Sequence, residues 1–333
     1  MCLINRFDTV QEIQLGTNLY YKAVDKKYNR YILIKRIQYA LNNESTAEHC
    51  FREILFLQEL NHDNVIRLSN VLRAENDSDI YLVFEFMETD LQQVIRANIL
   101  QDVHKKQIIY QLLKSVQFLH SNNLVHRAIN PQNCLIDANS TLKLQQFGFV
   151  HQLSECENIE PVLSDRIATR WYTAPEILLG STKSTKSEDM WAVGCILGEL
   201  LLGKPLFPGT STMSQLERIL EVTAPTLEDI NSINTPFASS MINSIQNVKR
   251  KNLKELINDE NAADLLEKLL RFNPNERITA EEALKHPFVG RFHGPENQIA
   301  ICKQSQIFEC KKKNYVELLN AEIDKWEKDI KEQ

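Results

Sequence analysis

The chain has 333 residues, of which 43% are hydrophobic and 25% charged, with a formal net charge of −6. That composition is ordinary for a globular protein, and the acidic balance gives no electrostatic reason to expect nucleic acid or an anionic membrane as partner. No apolar run reaches the ~18 residues that cross a bilayer, so membrane insertion is not expected either.

In chain order, the first part reads as strands: an aromatic-rich run from Leu19-Tyr20-Tyr21, then Tyr31-Ile32-Leu33-Ile34 before Lys35. A helix is predicted over 47–60, with Phe51, Ile54, Leu55 and Leu57 toward one side, and strands over 65–72 and 80–86. Helix then dominates. Apolar positions 108, 109, 112, 113, 116 and 119 fit a helix over 100–121 that ends in the Asn122-Asn123 turn. Short strands fit 134–136 and 142–144, and 150–165 reads as a polar, aperiodic loop. Further helices are predicted over 187–202, 212–222, 262–271 and 280–285. In the tail, Tyr315, Leu319, Ile323, Trp326 and Ile330 make an apolar stripe, suited to packing on its own protein or on a separate partner. The seven cysteines (2, 50, 134, 156, 195, 302 and 310) include no C-x-x-C pair, and residues 1–14 lack a signal-peptide core. A reducing compartment, cytoplasm or nucleus, is the expectation.

The chemistry-bearing segments are His126-Arg127-Ala128-Ile129-Asn130-Pro131-Gln132-Asn133 and Gln145-Gln146-Phe147-Gly148. They resemble the protein-kinase catalytic loop H-R-D-x-K-P-x-N and the metal-binding turn D-F-G. Ile34-Lys35, Arg52-Glu53-Ile54, Ala174-Pro175-Glu176 and Asp189-Met190-Trp191 with Gly194 match further kinase motifs in order, and Arg277 suits an ion pair with Glu176. Ala168-Thr169-Arg170-Trp171-Tyr172 and Gly203-Lys204-Pro205-Leu206-Phe207-Pro208-Gly209 resemble the MAP kinase and cyclin-dependent kinase group. Arg73 to Asp77, Tyr81 to Met87 and Leu100 to His104 look most like the atypical extracellular-signal-regulated MAP kinases of the fifteen type. The resemblance implies an α+β, two-lobed protein-kinase-like fold. It divides the chain into a β-rich N-lobe (1–86), a larger helical C-lobe (87–295) and a C-terminal extension (296–333) whose amphipathic helix packs back on the fold.

The resemblance also locates what is missing. Ala128 stands where the catalytic base belongs, Asn130 where the lysine belongs, and Gln146 where the metal carboxylate belongs, so no catalytic residue is intact. Terms of this kind are each worth roughly 3–4 kcal/mol of barrier. The phosphate-covering loop keeps one glycine, Gly16, and the larger Leu33 and Tyr20 replace the small residues over adenine. These two side chains are expected to fill the adenine space in a column with Leu135. Residual nucleotide-binding positions are Lys35, Glu53, Glu85, Met87 and Asn133. Lys35–Glu53 suits a structural ion pair as well as a ligand contact, and Asn133 suits local backbone as well as a metal. His126, Phe147 and Leu57 match an apolar spine. No cofactor is expected, and ATP and magnesium would bind weakly; no metal site is expected. Arg127, Ser164 and Arg170 are the regulatory candidates, Arg127 as an anion binder or as partner of a nearby acid. Arg166 occupies the position of the phosphorylated tyrosine, and Phe292 to Glu296 thins the acidic docking patch. The expected function is a pseudokinase, a signalling scaffold or allosteric regulator whose partners are other signalling proteins, active kinases or their substrates. A divergent serine/threonine kinase and a nucleotide-binding regulatory module are the alternatives.

Overall fold

A computed structural model describes residues 6–15, 18–153, 170–245, 248–292 and 314–332. Its strands are β1 (Phe7–Leu15), β2 (Asn18–Asp25), β3 (Arg30–Ile37), β4 (Leu68–Arg73), β5 (Ile80–Glu85), β6 (Thr89–Asp90), β7 (Leu124–Val125), β8 (Cys134–Ile136), β9 (Leu142–Leu144) and β10 (His151–Gln152). Its α-helices begin with α1 (Glu44–Glu59), α2 (Leu91–Ala97), α3 (Asp102–Ser121), α4 (Pro175–Leu178), α5 (Lys186–Leu202) and α6 (Thr212–Thr223). They continue with α7 (Leu227–Ser232), α8 (Ala238–Ser244), α9 (Leu253–Leu256), α10 (Glu260–Leu269), α11 (Ala280–Leu284) and α12 (Tyr315–Glu332). The chain forms two compact units. One comprises Met1–Gln92, Gln132–Val150 and Ala300–Gln333, the other Gln93–Pro131 and His151–Ile299. The secondary structure is mixed α+β, with the large sheet in the first unit and most helices in the second.

The first unit is built on an antiparallel sheet of order β1-β2-β3-β5-β4. Its central strand, β3, carries a run of four buried residues, Ile32 to Lys35, because neighbours flank it and both faces are covered. Alternation sorts the side chains. Ala23, Ile32, Ile34, Leu72 and Val83 form one core cluster, with Phe7, Tyr21 and Tyr81 half-buried against it. Register places Tyr20 opposite Lys35, and Leu33 opposite Phe84, on the other face. Sequence reading missed β1, an edge strand with a register shift between Thr9 and Gln11 and with Val10 57% exposed, so it shows no clean alternation. Helix α1 begins at Glu44, three residues earlier than predicted. Asn43 caps it by accepting the Thr46 amide at 2.9 Å.

Helix α12 packs on α1 and β4 within the same unit, burying Leu319 and Ile323 completely. Gln58 Nε2 donates to Glu322 Oε1 at 2.7 Å, Arg73 reaches Asp324 at 3.0 Å and also bonds Asn320, and the rings of Phe51 and Tyr315 lie 6.3 Å apart.

The second unit centres on α5, whose residues from Asp189 to Leu200 are all buried. The helix stops at Gly203, in the left-handed region (φ 70°) that closes a helix without steric cost. Trp191 stacks on Phe207, with centroids 5.7 Å apart. The helices α7, α8 and α9, of four to seven residues, were not foreseen, because so short a segment shows little period. Of the expected loop 150–165, residues 151–152 pair with β7 as β10, and 154–165 lie outside the described residues.

Candidate active site

Each unit carries its own group of candidate residues. In the first, the central position of β3 buries Lys35, and α1 presents Glu53 to it. Lys35 Nζ donates to the two Glu53 carboxylate oxygens at 3.1 and 3.0 Å, with both side chains 5% exposed. A third donation, at 3.4 Å, goes to Gln146 Oε1. Burial alone would push the Lys35 ammonium down. Glu53, with help from Tyr20, more than offsets this and holds it above its ordinary value.

Gln146 adopts the left-handed conformation (φ 73°, ψ 57°) at the start of a short 3₁₀ turn, Phe147–Phe149. The turn lies hard against α1. A Cβ on Gly148 would come within 2.8 Å of the His49 carbonyl, and the His49 and Phe149 rings lie 4.6 Å apart. Thus the same helix that supplies Glu53 also braces the turn that supplies Gln146.

Beside this group lies a second polar set, of which sequence reading singled out Tyr20 for its size but not the hydrogen bonds it makes. Tyr20, 2% exposed, donates its hydroxyl to Gln145 Oε1, and burial pushes its pKa up to about 12. Gln145 Nε2 donates to the Gln132 carbonyl at 3.2 Å, and Gln132 Nε2 donates to Gln92 Oε1 at 3.0 Å. Tyr20 and Gln145 stand 125 residues apart in sequence, so the only local signal was a glutamine between Leu144 and Gln146 in an otherwise apolar setting. Leu33 and Leu135 are as buried as Tyr20, at 0% and 1% exposure. Met87 is buried, and the Asn133 carbonyl accepts the Gln145 amide at 2.9 Å. Glu85 is committed elsewhere, pairing with Lys143 at 2.9 Å and accepting the Arg67 amide. Phe147 and Leu57 are buried in this unit.

In the second unit, Asp189 in the first turn of α5 organises the loop that begins at His126. Its carboxylate accepts the His126 amide at 2.8 Å, the Arg127 amide at 2.9 Å and His120 Nε2 at 3.0 Å. Burial would raise the Asp189 pKa. The bonds from His120 and the His126 amide outweigh it and keep the pKa below the usual carboxylate value. Arg127 takes a positive φ of 65°, and the Ala128 amide donates to His126 Nδ1 at 3.3 Å. Asn130, buried where a lysine was expected, folds back and donates to the Ala128 carbonyl at 3.3 Å. The loop is therefore held by backbone bonds, and the alanine methyl at 128 carries no proton-accepting group.

Next in sequence to Asp189, the Glu188 carboxyl is raised to about 7, first by burial and then by Asp189, while Arg127 and Ser184 oppose the shift. Farther along, Arg277 grips Glu176 with two 2.6 Å bonds, donates to the carbonyls of Arg271, Ser187 and Phe272, and sits 5.0 Å over the Trp191 ring. Arg170 donates to the Thr210 carbonyl at 3.4 Å. Ser164 and Arg166 lie outside the described residues.

A helix-borne glutamate paired to a lysine on the third strand, a loop organised by a buried aspartate, and the Glu176–Arg277 pair define a protein kinase domain. The family model "Protein kinase domain" matches residues 15–289. The chain is 50% identical over 304 residues to "Extracellular signal-regulated kinase 2" of Dictyostelium discoideum, covering 89% of this chain and 82% of that one. It is 49% identical over 299 residues to "Mitogen-activated protein kinase 15" of Xenopus laevis, covering 86% of this chain and 51% of that protein. Against "Mitogen-activated protein kinase mpkB" of Aspergillus fumigatus it is 40% identical, covering 83% and 80% respectively. The chain belongs to the MAP kinase family of protein kinases. It spans most of the Dictyostelium relative and about half of the Xenopus one.

Magnesium–ATP is the group this family implies, and the donor set fits it poorly. Gln146 offers a neutral carbonyl, already turned toward Lys35, where a carboxylate would balance a phosphate-bound metal.

Proposed function

We propose that this chain is a MAP-kinase-like pseudokinase, a signalling scaffold or allosteric regulator without phosphoryl transfer. One observation carries the reading: both acid positions are filled by groups that cannot ionise, Ala128 and Gln146, and Gln146 serves Lys35 as a neutral third acceptor beside Glu53. Phosphoryl transfer depends on positioning and charge stabilisation, and no other acid in either segment supplies them. The burial of Tyr20, Leu33 and Leu135, with the Tyr20 hydroxyl locked to Gln145, supports filling of the adenine space by side chains. Nucleotide and magnesium would then bind weakly. The lobe and extension boundaries given above belong to this reading, as do a cytoplasmic or nuclear location and partners among other signalling proteins, active kinases and their substrates. Arg127, as an anion binder or the partner of a nearby acid, and Arg170 remain in it as regulatory candidates.

A divergent serine/threonine kinase is the competing reading, favoured by the intact Lys35–Glu53 pair and by relatives that carry kinase names. Radiolabelled-ATP assays on generic substrates separate the two, with Lys35→Arg as control because it keeps a cation opposite Glu53. No transfer is expected from the wild type. Transfer that the control abolishes would overturn the pseudokinase reading. Thermal shift with and without magnesium reads nucleotide binding, since a ligand at a hundred times its dissociation constant stabilises by about 2.7 kcal/mol.

A further inference from the structure

The hairpin between β2 and β3 closes where Asp25 faces Arg30, leaving Lys26-Lys27-Tyr28-Asn29 as its loop, with Asn29 in the left-handed conformation (φ 49°). Tyr28 is 52% exposed, and three cations surround its ring: the Arg6 guanidinium at 5.1 Å from the centroid, Lys27 Nζ at 5.3 Å and the Arg30 guanidinium at 5.2 Å. On the neighbouring stretch, Lys22 Nζ lies 4.2 Å from the Tyr31 ring and 4.5 Å from that of Phe86, and Tyr31 is also 52% exposed.

The acids of this surface are already engaged. Asp25, 1% exposed, is held by the Arg6 fork at 2.8 and 2.6 Å and by the Lys27 amide at 3.0 Å. Asp8 pairs with Lys26 at 2.9 Å. Among the described residues, Lys27 and Arg30 make no direct salt bridge, although Arg30 faces Asp25 and helps hold its charge, and both stand exposed in a chain whose net charge is −6. An exposed cluster of cations within an acidic protein costs self-repulsion that scattered charges would avoid. Here the rings hold the cations in place, leaving outward N–H donors for an anion.

We propose that this hairpin tip, where Arg6, Lys27 and Arg30 surround Tyr28, docks an acidic peptide segment of a protein partner. Carboxylates would accept from Arg30 and Lys27, and an apolar side chain between them would lie on the Tyr28 ring. The patch is confined to one hairpin end and its neighbouring strand. A polyanion such as nucleic acid, or a charged bilayer, would extend past it onto a protein whose net charge is −6, whereas screening over about 8 Å lets a short segment sense the patch alone.

The test is fluorescence anisotropy of a labelled oligoglutamate peptide with the full chain. Salt-dependent binding is expected, weakened roughly tenfold or more by Lys27→Glu with Arg30→Glu and measurably by Tyr28→Ala. Lys204→Glu with Lys254→Glu, a charge reversal of equal size at exposed sites in the other unit, should leave it unchanged. These are surface positions, and circular dichroism confirms that each variant is folded. The proposal fails if no peptide binds at low salt, or if both double variants weaken binding equally. It also fails if an RNA oligomer or phosphatidylserine vesicles bind more tightly than the peptide.

Discussion

If the Lys35–Glu53 pair is structural, its removal must show in stability with no ligand present. Lys35→Met leaves the Glu53 carboxylate, 5% exposed, without its cation, and leaves Gln146 Oε1 without that donor. Removing one partner of a buried pair costs about 3–5 kcal/mol, and the long bond that the ammonium donates to the Gln146 amide oxygen adds about 1 kcal/mol. Against a total stability of about 5–15 kcal/mol, that is a quarter or more of what holds a domain folded. Lys35→Met combined with Glu53→Leu takes both charges out, so the double variant should be less damaged than the lysine variant alone, with a coupling within the usual range of about 0.5–3 kcal/mol. The pH dependence has a definite sign. The folded pKa of Lys35 lies above its ordinary 10.5, so the stability linked to the lysine's charge is fully present below 10.5 and is lost as pH rises through the higher folded value. Urea unfolding by circular dichroism gives the energies, and hydrogen exchange at β3 and α1 amides shows whether the loss is local to the first unit. A Lys35→Met variant within about 0.5 kcal/mol of wild type, or a double variant equal to the sum of the singles, would refute a structural role.

Four other outcomes are expected. Tyr20→Phe strips the donor from buried Gln145 Oε1 and should cost about 1–3 kcal/mol, read by urea melts. Tyr20→Val with Leu33→Ala, by contrast, should raise ATP affinity in a thermal-shift titration while lowering stability through the cavity it opens. Glu188, whose folded pKa of about 7 exceeds its ordinary 4.5, makes the native state bind more protons across that interval. Stability should therefore fall as pH rises from 4.5 to 7, by at most about 3 kcal/mol since the side chain is half-buried, and Glu188→Gln should flatten the slope. Leu319→Ala, at a fully buried contact of α12, should cost about 2–5 kcal/mol and raise exchange in α1 before α5.

The motif residues were legible because each is defined by near neighbours: Lys35 after a β-branched run, Glu53 on an amphipathic helix, Ala128 inside an otherwise intact loop. What stayed hidden depends on geometry across distance. The Tyr20–Gln145 bond needs β2 and the end of β9 to be brought together, and nothing local in either segment encodes that. Glu188 carries no signal in the sequence beyond its place at a helix start, where an acid suits the dipole. Only the fold shows it next to an Asp189 whose oxygens are taken by the His126 and Arg127 amides. Strand β1 escaped for the opposite reason: it is an exposed edge, so burial never imposed a pattern on it.

The substitutions divide along a physical line. The kinase-motif charges that are buried and paired are intact, and losing one partner would strand the other: Lys35 with Glu53, Glu176 with Arg277, Asp189 under its two amides. Among the positions that depart from the kinase motifs, 128, 130 and 146 are ones where a charge would face a ligand and where the fold does not require it. Ala128 shows this most directly, since Asp189 and His126 hold its loop through backbone atoms that any residue supplies. Asn130 and Gln146 have gone further and joined the interior hydrogen bonding, one to the Ala128 carbonyl and the other to Lys35. Neutral side chains at ligand-facing positions, beside intact buried pairs, are what the pseudokinase reading proposed above requires of a chain that keeps a kinase's shape for a partner.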